Sequence, residues 1–226
     1  MKKTKLNFKI DWKSIIIELL IVIIGISIAF KLNNWNESKK TELEVQEYIG
    51  SFYDENKTNQ ESLISALEYS KSNKKDIDTL KAILLSKNYS DERIKSLIAS
   101  MMGIASYAPS TTTMQNISSS GEFDLIKDIE LRKNLINTYN AFKTTAKLET
   151  LISNYINQYV TPFLFENVRF SDFSSLHSDF TKDPLFENIV IGYGVLINQL
   201  IKGYEQNLEN LNLLNEKLTT ANNVYN

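Results

Sequence analysis

The sequence predicts an all-α protein: an N-terminal transmembrane helix followed by an elongated antiparallel helical bundle with a long, coiled-coil-like C-terminal helix. Three observations predict it. Residues 14–32 read SIIIELLIVIIGISIAFKL, apolar over nearly their whole length. From Phe186 to Ala221 the apolar residues recur at alternating spacings of four and three. Seven Gly and three Pro in 226 residues leave few turn signals, which disfavours a sandwich or barrel.

The elements follow in order. Residues 1–13 form a basic tail. At a rise of about 1.5 Å per residue, residues 14–32 span roughly 28 Å, close to the hydrocarbon core of a bilayer. Trp12 and Trp35 flank the span and suit its two headgroup interfaces. Lys2, Lys3, Lys5, Lys9 and Lys13 precede it, against Lys31, Lys39 and Lys40 after it. The excess of basic residues favours a cytoplasmic N-terminus and a large C-terminal domain outside. A second reading is a cleaved secretory signal ending at Ser27-Ile28-Ala29. Glu18 and the apolar run past Ala29 favour a retained anchor.

One face of this helix is patterned. Glu18, Val22, Gly25, Ala29 and Asn33 share a narrow arc, continued by Asn36. Gly25 and Ala29 make a small-xxx-small pair that lets a second backbone approach closely. A carboxylate on the same stripe favours protein or water over lipid. The stripe is thus a candidate contact face for a second copy or another membrane protein. The alternative is that Glu18 reaches the interface and Gly25 is incidental.

Residues 33–42 form a polar juxtamembrane segment, and residues 43–226 the bundle. A long helix is expected from Thr41 to about Ser72, with Val45, Tyr48, Ile49, Phe52, Leu63, Ala66 and Leu67 on one stripe together with Asn56 and Asn59. A separate piece follows over residues 74–86. Ser90 reads as an N-cap before Asp91 and Glu92, opening a helix to about Tyr107. Residues 111–120 form a short helix closed by Gly121. The next helix runs over residues 128–160, with Leu131, Leu135, Phe142, Ile152, Ile156 and Tyr159 on one face and Pro162 at its end.

Residues 163–182 show no period. They hold Phe163, Phe165, Phe170, Phe173 and Phe180 and the single histidine, His177. The rings either cap an open end of the bundle or form a contact loop of Phe163, Phe165, Phe170 and Phe173. Asp183-Pro184 opens the last helix as cap and first helical residue. Its heptad seam holds Tyr193, Ile197, Leu200, Tyr204, Asn207, Leu211, Leu214 and Leu218. The seam packs against the other long helices of the chain, or against a second chain. Gly192, Gly194 and Gly203 lie off it, and either allow close packing on another face or weaken the helix.

Composition narrows the function. A net charge of −2 and the lack of a basic stripe with interleaved aromatics point away from nucleic acid. Cysteine is absent, which excludes disulfides and thiolate metal sites. The sequence lacks phosphate-binding glycine loops, paired histidines and a nucleophile elbow. Ser118-Ser119-Ser120-Gly121 has no second histidine to serve as base. Glu122, Asp124, Asp128 and Glu130 read as helix-dipole partners.

The stretch from Glu18 to Glu37, ELLIVIIGISIAFKLNNWNE, resembles an uncharacterised family of single-pass envelope proteins common in Bacteroidetes-type bacteria, whose members carry an E…VIGI…IA…NNWNE anchor. Ser119–Tyr139 and Asp183-Pro184-Leu185-Phe186 look similar to the same family. Lys31 departs from the usual uncharged residue there. The resemblance implies an anchor, its topology and a helical fold, and carries no activity. The expectation is a non-catalytic interaction or scaffold protein with no cofactor or metal, whose partners are membrane lipid and a second copy or another membrane protein. A sensor-like periplasmic ligand-binding domain signalling through a membrane partner is the alternative.

Overall fold

The computed structural model describes residues 12–225, and most of the basic tail lies outside them. The fold is all-α. Six helices, α1 (Trp12–Leu85), α2 (Ile94–Ala99), α3 (Thr112–Ser120), α4 (Ile129–Tyr155), α5 (Thr161–Asn167) and α6 (Pro184–Tyr225), are joined by short irregular segments. The only described strands, β1 (Val168–Arg169) and β2 (Ser174–Ser175), form a two-residue antiparallel hairpin. The chain divides into two compact units, Met1–Glu47 and Tyr48–Asn226.

In the first unit every described residue up to Lys40 is exposed, including Trp12 and Trp35. Two helices, α1 and α6, are long and apolar enough to cross a membrane. They differ in kind. The apolar window of α1 is 0% buried by the chain, whereas that of α6 is 39% buried.

In the second unit the core lies among α1, α4 and α6. Asn56 of α1 donates to the Leu211 carbonyl at 3.0 Å, and Lys71 pairs with Glu205 at 2.7 Å. Asn207 donates to Thr145 of α4 at 2.7 Å, and the Tyr155 hydroxyl to the Ile189 carbonyl at 3.1 Å. Along both contacts the α6 numbers fall as the partner numbers rise, so α6 runs antiparallel to α1 and to α4. The ten seam residues from Phe186 and Val190 through Leu218 are all buried within this unit.

α1 is continuous where a break was expected near Ser72. Its buried stripe passes Leu63, Ala66, Ser70, Asn73, Ile77 and Leu80 without losing step. Neither Gly nor Pro lies between Gly50 and Gly103, so nothing stops the helix locally. It ends instead on Lys87, whose φ is 56°. The Lys87 amide reaches the Leu84 carbonyl at 2.9 Å, and the Asn88 amide the Ile83 carbonyl at 3.2 Å. This is a Schellman closure made with lysine where glycine is usual.

The helix expected over residues 90–107 shrinks to α2. Asp91, not Ser90, supplies the cap-like acceptor, bonding the Arg93 amide at 3.0 Å. Residues 103–110 run as an irregular strap instead. Gly121 closes α3 with φ 77°, and Asp128 caps α4 through the amides of Glu130 and Leu131. Pro162 does not end the chain's helical course. A π-turn over Ile156–Val160 widens the backbone, and the Thr161 amide bonds the Ile156 carbonyl five residues back. Proline then falls in the first turn of α5, where its missing amide costs nothing. The same turn leaves Tyr159 exposed, contrary to its expected place on the buried face.

Candidate functional site

Two carboxylates on the long helices organise the second unit. Glu55 of α1 is half-buried. Its Oε2 accepts from the Thr113 amide at 2.9 Å, the Thr113 hydroxyl at 3.2 Å and the Ser110 hydroxyl at 3.0 Å. Its Oε1 accepts from the Tyr139 hydroxyl of α4. Thr111, the N-cap residue of α3, makes no side-chain cap bond, so a distant carboxylate takes that role at the positive end of α3. Glu149 of α4 works similarly. Its Oε1 accepts from the Tyr107 amide at 2.9 Å and from the Tyr204 hydroxyl at 2.6 Å.

Between these carboxylates lies the strap. The Gly103 carbonyl accepts from Asn73 at 3.1 Å and Tyr193 at 2.9 Å. Ser110 exchanges two bonds with the Asn59 amide group, at 2.7 and 2.9 Å. Asn59 and Asn73 are polar members of the buried α1 stripe. They supply partners to an irregular backbone that secondary structure leaves unsatisfied. Burial first, then the Glu55 carboxylate, holds the Tyr139 phenol well above its ordinary value of 10. Tyr204 is raised by burial and Glu149, and Tyr107 in the same order. Burial pushes Tyr193 up to about 12, against the opposing bond to Asn73.

A groove of about 480 Å³ opens between α3 and α4. Pro109, Met114, Phe142 and Ala146 line its apolar part, with Gln115 and Lys143 among its polar groups. Tyr139 lines it as well, so the Glu55 clamp joins both walls. A second, shallower depression of about 810 Å³ runs beside the end of α1. Its Lys71, Lys74 and Arg93 are each paired, with Glu205, Asp78 and Asp91. Among the described residues Lys75, which also lines it, joins none of the ion pairs.

The residues expected at a functional site fall into three groups. Glu18, Val22, Gly25, Ala29 and Asn33 all lie exposed on α1, and a Cβ added at Gly25 would meet nothing within 4 Å. Tyr193, Ile197, Leu200, Tyr204, Asn207, Leu211, Leu214 and Leu218 are buried against helices of the same chain. The phenylalanines split. Phe163 stacks on Phe186 at 5.4 Å and Phe180 meets it edge-on at 5.3 Å, closing the end of the bundle. Phe165, Phe170 and Phe173 form an outer cluster, with centroids 5.0 and 6.2 Å apart along the series. Among the described residues no group of three or more His, Asp or Glu could hold a metal ion. Glu55 and Glu149 escaped the sequence reading. Asn56 and Asn59 on an apolar stripe were the signal that polar work is done inside this bundle.

The fold thus defines a helical-bundle protein whose first helix begins as an uncovered apolar segment. The chain belongs to a family of unknown function, DUF6090, which matches residues 18–155. The match begins at Glu18 and stops at the last residue of α4, so the similarity noted at Asp183–Phe186 lies outside it. No curated protein and no solved structure matches the chain.

Proposed function

We propose that this chain is a single-pass inner-membrane protein of the bacterial envelope, of the Bacteroidetes type its anchor motif resembles, and that it acts as a non-catalytic scaffold through helix–helix contacts. One observation carries the reading. Residues 14–32 expose a contiguous apolar surface that none of the described residues covers. A patch of that size calls for lipid or another protein. The apolar side of α6 needs neither, because it fills the bundle core. The lysine excess ahead of residue 14 supports a cytoplasmic N-terminus and a periplasmic bundle. Lipid then covers most of the α1 segment, and the Glu18–Gly25–Ala29 stripe meets a second copy or another membrane protein.

Both oxygens of Glu55 and Oε1 of Glu149 accept from donors on other elements, which supports a structural rather than an acid–base role. Crosslinking in membranes followed by pull-down from detergent tests the scaffold reading. A stable protein partner, or a crosslinked dimer, is the expected result. Recovery of the chain alone from several detergents would oppose it. The open groove favours a second reading, a sensor-like domain, which binding without any stable protein partner would support.

A further inference from the structure

We propose that the groove between α3 and α4 binds the carboxylate form of a single-chain fatty acid, with the acyl chain along the groove and the headgroup on Lys143. At about 480 Å³ it lies within the roughly 300–1,000 Å³ of small-molecule sites. That volume is on the scale of one acyl chain. Pro109, Met114, Phe142 and Ala146 supply a mainly apolar lining.

The charge argues for the headgroup. Lys143 lines the groove, and no Asp or Glu does. Among the described residues Lys143 joins none of the ion pairs. Its helical neighbours at three and four positions are Asn140, Ala146, Tyr139 and Lys147, with no acid among them. The one ammonium that lines this apolar trough complements one monoanion. Gln115 adds an amide donor at the same opening.

The site is also held in shape before any ligand arrives. Glu55 bonds the Thr113 amide of α3, the helix that carries Met114 and Gln115, and the Tyr139 hydroxyl of α4. Binding therefore orders little backbone, which lowers its entropic cost. The inference is independent of the scaffold reading, since a bound acyl chain neither needs nor forbids a protein partner.

The test uses the full chain in lipid nanodiscs with palmitate carrying a terminal diazirine, illumination, and peptide mapping by mass spectrometry. Label is expected on peptides covering residues 109–119 or 139–146. Palmitate should compete it about threefold more strongly than hexadecanol, the same ion pair being lost. Lys143→Gln should lower groove labelling about threefold, the scale of an exposed ion pair. Lys147→Gln, outside the groove, should leave it unchanged. Ala146→Trp, which fills the groove, should remove it. Met114→Trp replaces that variant if its thermal melt departs from that of the native chain. Label confined to residues 14–32 would overturn the proposal. So would equal competition by hexadecanol, or labelling that survives the filled groove. Groove label that vanishes as chain concentration rises would place a second copy there, and would overturn it too.

Discussion

Glu55 shows how one side chain can hold an irregular segment in place. Four donors from Ser110, Thr113 and Tyr139 converge on it, and removing it leaves them to compete for water in a partly closed site. Hydrogen bonds to a charged group are worth about 1.5–3 kcal/mol, so Glu55→Ala should lower the stability of the second unit by about 2–4 kcal/mol in urea denaturation. The tyrosines make a second expectation. The phenols of Tyr107, Tyr139, Tyr193 and Tyr204 titrate above their unfolded value of 10. Above pH 10 the unfolded chain loses these protons while the folded chain keeps them. The stabilisation is thus complete below pH 10 and is lost as pH rises toward the folded values. Tyrosinate absorbance at 295 nm should show these four phenols silent near pH 10 and ionising together with loss of helical circular dichroism.

At the scale of elements, the helix ends divide into those with local causes and those without. Gly121, Asp128 and the Asp183-Pro184 pair are local signals and were legible in the sequence. So was the α6 seam, because burial of every position from Phe186 to Leu218 follows from its period. The break expected near Ser72 was misplaced because Ser72-Asn73 resembles a linker, while Asn73 serves the strap from within a helix. The strap was unreadable for the same reason. Its bonds come from Asn59, Asn73, Glu149, Tyr193 and Tyr204, which lie 30 to 99 positions away in sequence. Pro162 misled because a π-turn absorbs it, and a π-turn has no compact sequence signature. The groove was illegible because its walls come from separate helices.

Two substitutions test these local causes. Lys87→Gly should stabilise the second unit by about 1 kcal/mol in thermal melts, because glycine adopts the left-handed φ of 56° without the side-chain penalty. Gly192 answers the question left open by the off-seam glycines. A Cβ there would collide with the Tyr155 Oη, so α4 packs a tyrosine against the α6 backbone. Gly192→Val should cost about 1–3 kcal/mol. The cost should shrink in a Tyr155→Ala background, giving a non-additive double-mutant cycle.

For the whole molecule, the second unit uses its own apolar surface while the first leaves its surface open. The contrast makes Gly25 informative. A Cβ there meets no described atom within 4 Å, so Gly25→Leu with Ala29→Leu should leave the bundle's thermal melt unchanged. The same pair should weaken association in a membrane two-hybrid assay severalfold if the stripe is a contact face. The family match begins at Glu18, inside the apolar segment, and continues through residue 155. All of this depends on residues 14–32 remaining within a bilayer. Alkaline carbonate extraction of native membranes, followed by intact-mass measurement, tests that most directly. Embedding predicts that the full-length chain stays in the pellet with the lipid. Release of the chain into the supernatant, or a mass that begins after Ala29, would contradict it.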